Sequence, residues 1–298
     1  MVDSDCNPNH HADIENTNAP RNESLSNLTE KEFVDLFRRE VQKLLHLTTF
    51  RLDEKIALVT GAATGLGAAI AIGLAQAGAR VICHGNTRTP EETANQIRNL
   101  GGEARTVTGD LSKRETASIM VAESLKHFGR LDILVNNAGT IRRAPAVDYS
   151  EEDWATVIEV NLSSVFRLCQ LAGKQMIEAG HGGRIINIAS LLSFQGGITV
   201  PAYAASKGGV AQLTKALANE WAKFNINVNA IAPGYMRTTN TAPLQADETR
   251  NRQILERIPA GRWGEPEDIV GAAIFLSSRA SDYVNGHILV VDGGWMGR

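Results

Sequence analysis

Cysteine is scarce in this 298-residue chain: Cys6, Cys83 and Cys169 lie far apart and are odd in number, which builds neither a disulfide framework nor a zinc site. A reducing compartment is the expected home, and the cytoplasm the expected location. No apolar run reaches the ~18 residues that a membrane span needs. The opening residues lack an apolar signal core, and their acids argue against a transit peptide. Net charge is small as well, −3 from 30 Lys+Arg and 33 Asp+Glu. No basic face is implied, which argues against nucleic acid as a partner. No His/Asp/Glu cluster calls for a metal, and His10-His11 reads as an exposed pair in a polar tail. There is no internal repeat. With 43% hydrophobic residues the chain can bury a full core, and about 250 residues suit one α/β domain.

Residues 1–48 read as an extension to that domain. Residues 1–26 are rich in Asn, Asp, Ser and His with almost no large apolar groups, and are expected to be disordered. From Thr29 the pattern changes. Thr29-x-x-Glu32 reads as a capping box, and Phe33, Leu36, Phe37, Val41, Leu44 and Leu45 mark one face of an amphipathic helix over 29–47. Such a stripe suits docking on its own domain or on a neighbouring subunit. Nine acids against five Lys/Arg in residues 1–48 give −4, which disfavours an anionic lipid surface.

From residue 49 to 298, strand and helix patterns alternate, the signature of a parallel sheet with helices on both faces. Strands are expected near 55–60, 79–84, 104–108, 131–136, 184–189, 226–232 and 287–292. Helices fall between them, including 91–100, 114–128, 152–179 and 204–224. Lys55–Thr60 reads as a buried strand, followed at once by Gly61, Gly65 and Gly67 and then the helical run Ala68–Ala77. Strand, glycine-rich turn and helix together bring backbone close to a pyrophosphate and aim a helix N-terminus at it. A turn that only closes a βα unit is the plainer alternative.

Tyrosine is also scarce, so the surroundings of each one are legible. Of Tyr149, Tyr203, Tyr235 and Tyr283, only Tyr203 has a lysine four residues on, Lys207. On a helix those two share a face. An ammonium beside a phenol favours phenolate and lowers a pKa that otherwise lies near ~10. A phenol so tuned serves as a proton donor or acceptor near neutral pH. Ser190, at the end of the apolar run 185–189, would give a second hydrogen bond to a substrate oxygen.

Taken in order, Thr60-Gly61-x-x-x-Gly65-x-Gly67, Asn136-Asn137-Ala138-Gly139, Ser190, Tyr203-x-x-x-Lys207 and Pro233-Gly234 resemble the short-chain dehydrogenase/reductase family over roughly residues 49–298. The resemblance implies a Rossmann-like, doubly wound sheet of seven parallel strands, one domain, a nicotinamide dinucleotide cofactor and a homotetramer. It implies Asn161, Ser190, Tyr203 and Lys207 as catalytic residues. Tyr203 would take or give the proton, Ser190 hold the oxygen on which charge develops, and Lys207 lower the tyrosine pKa. Asn161 would hold a water linking Lys207 to solvent, unless its amide is satisfied within a buried helix.

Cofactor contacts implied by the resemblance are Gly61, Thr64, Gly65, Leu66 and Gly67 in the glycine turn and Asn86 after the second strand. Asp110 and Leu111 follow the third strand, Asp110 as the adenine-contacting acid or as a helix cap. Asn137, Ala138 and Gly139 would lie beneath the adenine ribose. Tyr203, Lys207, Pro233, Gly234 and Thr238 would fix the nicotinamide end. NAD against NADP is poorly marked: Gly85 and Thr64 stand where selective charges would be, and Arg88 is within reach of a 2′-phosphate. The resemblance favours NAD.

Stretches 136–143, 192–197, 225–236, 258–264 and 280–286 are similar to the deoxygluconate dehydrogenases of that family. A sugar acid such as 2-dehydro-3-deoxy-D-gluconate or 2-deoxy-D-gluconate is therefore the expected substrate. Such a molecule needs cations for its carboxylate and hydrogen bonds for its hydroxyls. Arg142, Arg143 and Arg237 offer the first, Gln195 and Asn240 the second, with Arg143 and Gln195 singled out as substrate contacts. Gluconate oxidised at C5, an acyl thioester, and a silent dinucleotide-binding scaffold stay open as alternatives. Two departures stand against the closer resemblance: the long extension, and Gly85 where asparagine is expected.

Overall fold

The computed structural model describes residues 46–298 and, before them, Thr29, Lys31, Val34 and Asp35. The expected disorder over 1–26, and all but those few residues of the expected helix over 29–47, lie outside the described residues. Contacts divide the chain into Met1–Thr48 and Thr49–Arg298. Among the described residues no helix is long and apolar enough to cross a membrane.

In Thr49–Arg298, seven strands, β1 (Ile56–Val59), β2 (Arg80–Gly85), β3 (Ala104–Thr108), β4 (Ile133–Asn136), β5 (Gly183–Ile188), β6 (Ile226–Pro233) and β7 (Ile288–Val291), form one sheet in the order β3-β2-β1-β4-β5-β6-β7. Every neighbouring pair is parallel. This is the doubly wound sheet expected from the sequence. Alternation along β1 shows how the layers form. Ala57 and Val59 pack with Ile70, Leu74, Ile97, Ala273 and Leu276 on one face, whereas Ile56 and Leu58 pack with Met120, Leu168, Met176, Val210 and Trp221 on the other. Burying each such Ile, Leu or Met contributes roughly 1.5–3 kcal/mol. The helices that cover these faces are α1 (Gly65–Gln76), α2 (Glu91–Asn99), α3 (Arg114–Phe128), α4 (Glu151–Ile158), α5 (Ser164–Ala179), α6 (Pro201–Trp221) and α9 (Val270–Ser277). Two short helices, α7 (Ala242–Ala246) and α8 (Glu248–Arg257), follow β6.

Two helices differ from the sequence expectation. The helix expected over 152–179 is interrupted by a π turn, Glu159–Ser163, which separates α4 from α5. A π turn inserts a residue into the i→i−4 ladder and re-aims the side chains around it. Here it carries Asn161. Helix α6 starts at Pro201, three residues before the expected start, with proline in the first turn where its missing N–H costs nothing.

Strand order reverses between β1 and β4, so the chain leaves their carboxyl ends in opposite directions and opens a crevice there. The sequence motifs converge on that crevice.

Candidate active site

The turn after β1 is shaped by two glycines in left-handed backbone, Gly61 at φ +64° and Gly65 at φ +59°. Thr64, the N-cap of α1, makes no side-chain cap hydrogen bond, so the first N–H groups of the helix face the crevice with their partial positive charge. A Cβ on Gly67 would lie 2.2 Å from the Gly61 carbonyl oxygen and 2.4 Å from Asn137 Nδ2. The turn can thus fold tightly onto the loop after β4 only with glycine there. The Thr60 hydroxyl accepts from the amides of Asn137 and Ala138, each at 2.9 Å, and Asn137 Nδ2 donates to the Thr60 carbonyl at 2.9 Å.

His84, near the end of β2, is buried and completes this frame. Its Nδ1 lies 3.3 Å from the Gly61 amide and its Nε2 2.9 Å from the Gly109 carbonyl. An acceptor at Nδ1 and a donor at Nε2 require the neutral ring, and burial pushes its pKa below the ordinary range. Because the folded value is depressed, the stability this group contributes is present above the usual imidazole pKa of ~6.5 and lost as pH falls. We expect His84→Phe to weaken dinucleotide binding about tenfold, the worth of roughly one hydrogen bond. It should also remove part of the acid loss of stability seen in the wild type. Dinucleotide fluorescence titration and urea unfolding against pH check both; unchanged affinity and pH dependence would leave His84 as filler.

These elements border a cleft of about 620 Å³ lined by Gly61, Thr64–Leu66, Gly85–Arg88, Asp110, Leu111, Asn137–Thr140, Tyr203, Lys207 and Thr238–Asn240, among others. Asp110 does two things: it faces this cleft, and its Oδ1 accepts from the Ser112 amide at 2.9 Å, which holds its carboxyl below the usual range. Gly234 lies behind the wall, where a Cβ would meet Asp292 Cα at 2.6 Å.

At the far end, Ser190, Tyr203 and Lys207 come together. Ser190 ends the extended run after β5 and caps the short turn Leu191–Ser193 through its hydroxyl, which accepts from the Leu192 amide at 3.2 Å. Ser190 is near enough to Tyr203 to favour its phenolate. Lys207 Nζ donates to the Ile188 carbonyl at 2.6 Å and lies 5.6 Å from the centre of the Tyr203 ring.

Burial pushes the Tyr203 pKa up, opposed by Ser190 and by the Arg143 charge. Lys207 is itself pushed down to about 8 by burial. Lysine four residues on from tyrosine does not by itself produce phenolate, because the same burial disfavours both charges.

Asn161 is fully buried in the π turn. Its Oδ1 accepts from the Thr140 amide at 2.8 Å, and its Nδ2 donates to the Thr140 carbonyl at 2.9 Å and to Ser206 Oγ at 3.2 Å. Both amide hydrogens are therefore used within the protein. The side chain ties the loop after Gly139 to the helix carrying Tyr203 and Lys207.

The expected substrate contacts fall differently. Arg142 lines the cleft; Arg143 is exposed, its charge acts on Tyr203 and its Nη2 reaches the carbonyl of Asn240, a cleft residue, at 3.4 Å. Gln195 instead accepts from Trp295 Nε1 at 3.2 Å. Thr60, His84 and Thr140 were not marked as site residues by sequence. Only His84 left a local signal, a titratable residue inside an otherwise apolar strand.

With this geometry in view, the similarity to known proteins becomes informative. The family model described as enoyl-(acyl carrier protein) reductase matches residues 61–296. The chain belongs to the short-chain dehydrogenase/reductase family. Among its relatives in that family is the 2-dehydro-3-deoxy-D-gluconate 5-dehydrogenase of Bacillus subtilis (strain 168), 57% identical over 249 residues, which cover 84% of this chain and 97% of that one. The protein of that name from Escherichia coli (strain K12) is 54% identical over 252 residues, covering 85% and 99%. Among solved structures, a gluconate 5-dehydrogenase from Burkholderia cenocepacia J2315 in complex with NADP and tartrate is similar at TM-score 0.80 and 41% identity, covering 85% of this chain and 99% of that one. Short-chain dehydrogenase/reductase architecture thus accounts for the glycine cradle, the open α1 N-terminus and the Ser190–Tyr203–Lys207 cluster.

Proposed function

We propose that the protein is an NAD(P)-dependent oxidoreductase of sugar acids that interconverts a hydroxyl and a keto group on a 2-dehydro-3-deoxy-D-gluconate or 2-deoxy-D-gluconate type substrate. The cradle fits the dinucleotide: Gly61 and Gly67 leave no room for a Cβ, and the N–H groups of α1 are free for phosphate oxygens. A nicotinamide dinucleotide bound there supplies or accepts the hydride. Tyr203 gives a proton to the substrate oxygen in reduction and takes it in oxidation. Ser190 donates to the same oxygen as its charge grows, and Lys207 holds Tyr203 and the cofactor end of the cleft together. Asn161 fixes Thr140 against α6.

One observation carries the substrate class. Of the three arginines expected to serve a carboxylate, Arg142 pairs with Asp153 at 3.3 Å and Arg237 with Glu265 at 2.9 Å, whereas Arg143 contacts the Asn240 carbonyl and projects its charge onto Tyr203. A cation beside the proton donor draws an acidic substrate into reacting position. Arg143→Met should raise KM for the sugar acid about ten- to hundredfold, the range of one hydrogen bond to a charged group. It should leave the weak turnover of a neutral polyol unchanged; equal effects on both would remove Arg143 from substrate binding. The polar lip formed by Thr239, Asn240 and Arg143 disfavours an acyl thioester. The names of the relatives support the same substrate class, with 5-keto-D-gluconate as the second reading, from a 42% identical 5-keto-D-gluconate 5-reductase of Escherichia coli (strain K12).

For the cofactor, NADP is the better fit to the loop after β2. A Cβ on Gly85 would lie 2.3 Å from the Arg88 carbonyl oxygen, so the loop folds across the place where an NAD-selective carboxylate would stand. Arg88 lines the cleft as a partner for a 2′-phosphate. Solved relatives with NADP bound support this reading over the NAD preference expected from the sequence. We also propose a helical extension over 29–47 ahead of the domain at 49–298, and a cytoplasmic homotetramer. The location is supported by the free, buried thiols of Cys83 and Cys169, and assembly by exposed Ile119 and Phe166 on α3 and α5.

A further inference from the structure

The last seven residues pack against three separate parts of the site. Asp292 holds their turn with both carboxylate oxygens, which accept from the amides of Gly294 and Met296 at 2.8 Å each. Trp295 is thereby buried in a small cluster with Leu191, Ile254, Ile258 and Trp263. Its ring lies 4.6 Å from that of Tyr235, next to Pro233-Gly234, and the Arg257 guanidinium sits 4.1 Å from its centre on the other element, α8. Arg298 Nη2 donates to the Glu256 carbonyl at 2.9 Å, a second tie to α8. The indole N–H is a donor only and needs an acceptor when buried. That acceptor is Gln195 Oε1 at 3.2 Å, one hundred residues away in sequence. Gln195 in turn belongs to the Ser190 loop: its amide donates to the Leu191 carbonyl at 3.0 Å, and Leu191 packs in the same cluster as Trp295.

We propose that Trp295 and Gln195 are a positioning pair, in which the C-terminal segment holds the Ser190 loop in register with α8 and Tyr235. The Ser190 hydroxyl already accepts from the Leu192 amide, which ties its position to that of the loop. A shift of the loop by a fraction of an ångström therefore moves the donor that the substrate oxygen needs. Catalysis is sensitive to displacements of that size. Gln195 acts in this way through Ser190 and not on the substrate. The inference rests on the Ser190–Tyr203 site proposed above but not on the identity of the sugar acid.

Trp295→Phe keeps an aromatic side chain but deletes the pyrrole ring with its N–H, and Gln195→Leu deletes the acceptor. Each is expected to lower kcat about tenfold, roughly one hydrogen bond, with dinucleotide affinity unchanged. Together they should lose no more than either alone, and Gln195→Glu, which keeps an acceptor, should retain most of the activity. Hydrogen exchange reads the same pair without substrate. In Trp295→Phe the amides of residues 190–197 should exchange faster, while those of α1 keep their rates. Additive losses in the double variant, or unchanged exchange over 190–197, would overturn the proposal. If the wild type turned over no sugar acid, the substrate assignment would fail while the exchange experiment still decided this one.

Discussion

Tyr203→Phe is expected to lower turnover by about 10²–10⁴-fold, the usual contribution of a positioned acid or base, with dinucleotide affinity little changed. In the proposed mechanism the phenol exchanges a proton with the substrate oxygen, and Phe retains its ring and packing. Burial holds the Tyr203 pKa above its ordinary value while Ser190 and Arg143 pull against that shift. Raised in this way, the phenol is mostly protonated at neutral pH, the form needed to donate in carbonyl reduction. Reduction should therefore slow, and oxidation quicken, as pH rises toward the tyrosine range. The pH profiles of both directions check this. A Phe variant with wild-type turnover would show that the proton leaves by another route.

The second large effect concerns packing. Gly67→Ala is expected to abolish measurable dinucleotide binding and to destabilise the fold by about 1–3 kcal/mol or more, the range for forcing a group into filled space. In a domain of this size that is roughly 2–10 °C in Tm. The added methyl meets the Gly61 carbonyl at 2.2 Å and Asn137 Nδ2 at 2.4 Å, both fixed by backbone or by hydrogen bonds to Thr60 and Gly61. Neither can yield without opening the turn that would hold the pyrophosphate. Gly208→Ala is the matched control. It lies in α6 with nothing within 4 Å of the new methyl, and replacing a helical glycine by alanine there should stabilise by about 0.5–1 kcal/mol. Thermal unfolding and dinucleotide titration of the two variants separate steric failure at Gly67 from a general glycine effect.

What the sequence revealed follows from the range of the interactions involved. Strand β3 at 104–108 and helix α3 at 114–128 fall where hydrophobic period and turn residues put them, because both are decided within a few neighbours. The order of motifs located the glycine turn, Ser190, Tyr203 and Lys207. The π turn at Asn161 was not legible, and the partner that satisfies its side chain is the Thr140 backbone, 21 residues away. Neither was the tie between Gln195 and Trp295, at a separation of 100. Spacing correctly put Lys207 on the face of Tyr203 but could not show that burial raises the Tyr203 pKa and lowers that of Lys207. Burial, which lowers the one pKa and raises the other, is a property of the folded environment and not of a four-residue interval.

Nucleotide absorbance, followed as 2-dehydro-3-deoxy-D-gluconate and 2-deoxy-D-gluconate are offered with NAD and NADP, tests the central claim most directly. The expected result is turnover of at least one of the two sugar acids, faster with NADP than with NAD, and its disappearance in Tyr203→Phe. Dinucleotide binding without turnover of either sugar acid would contradict the assignment of substrate. Turnover that survives in Tyr203→Phe would contradict the assignment of the site.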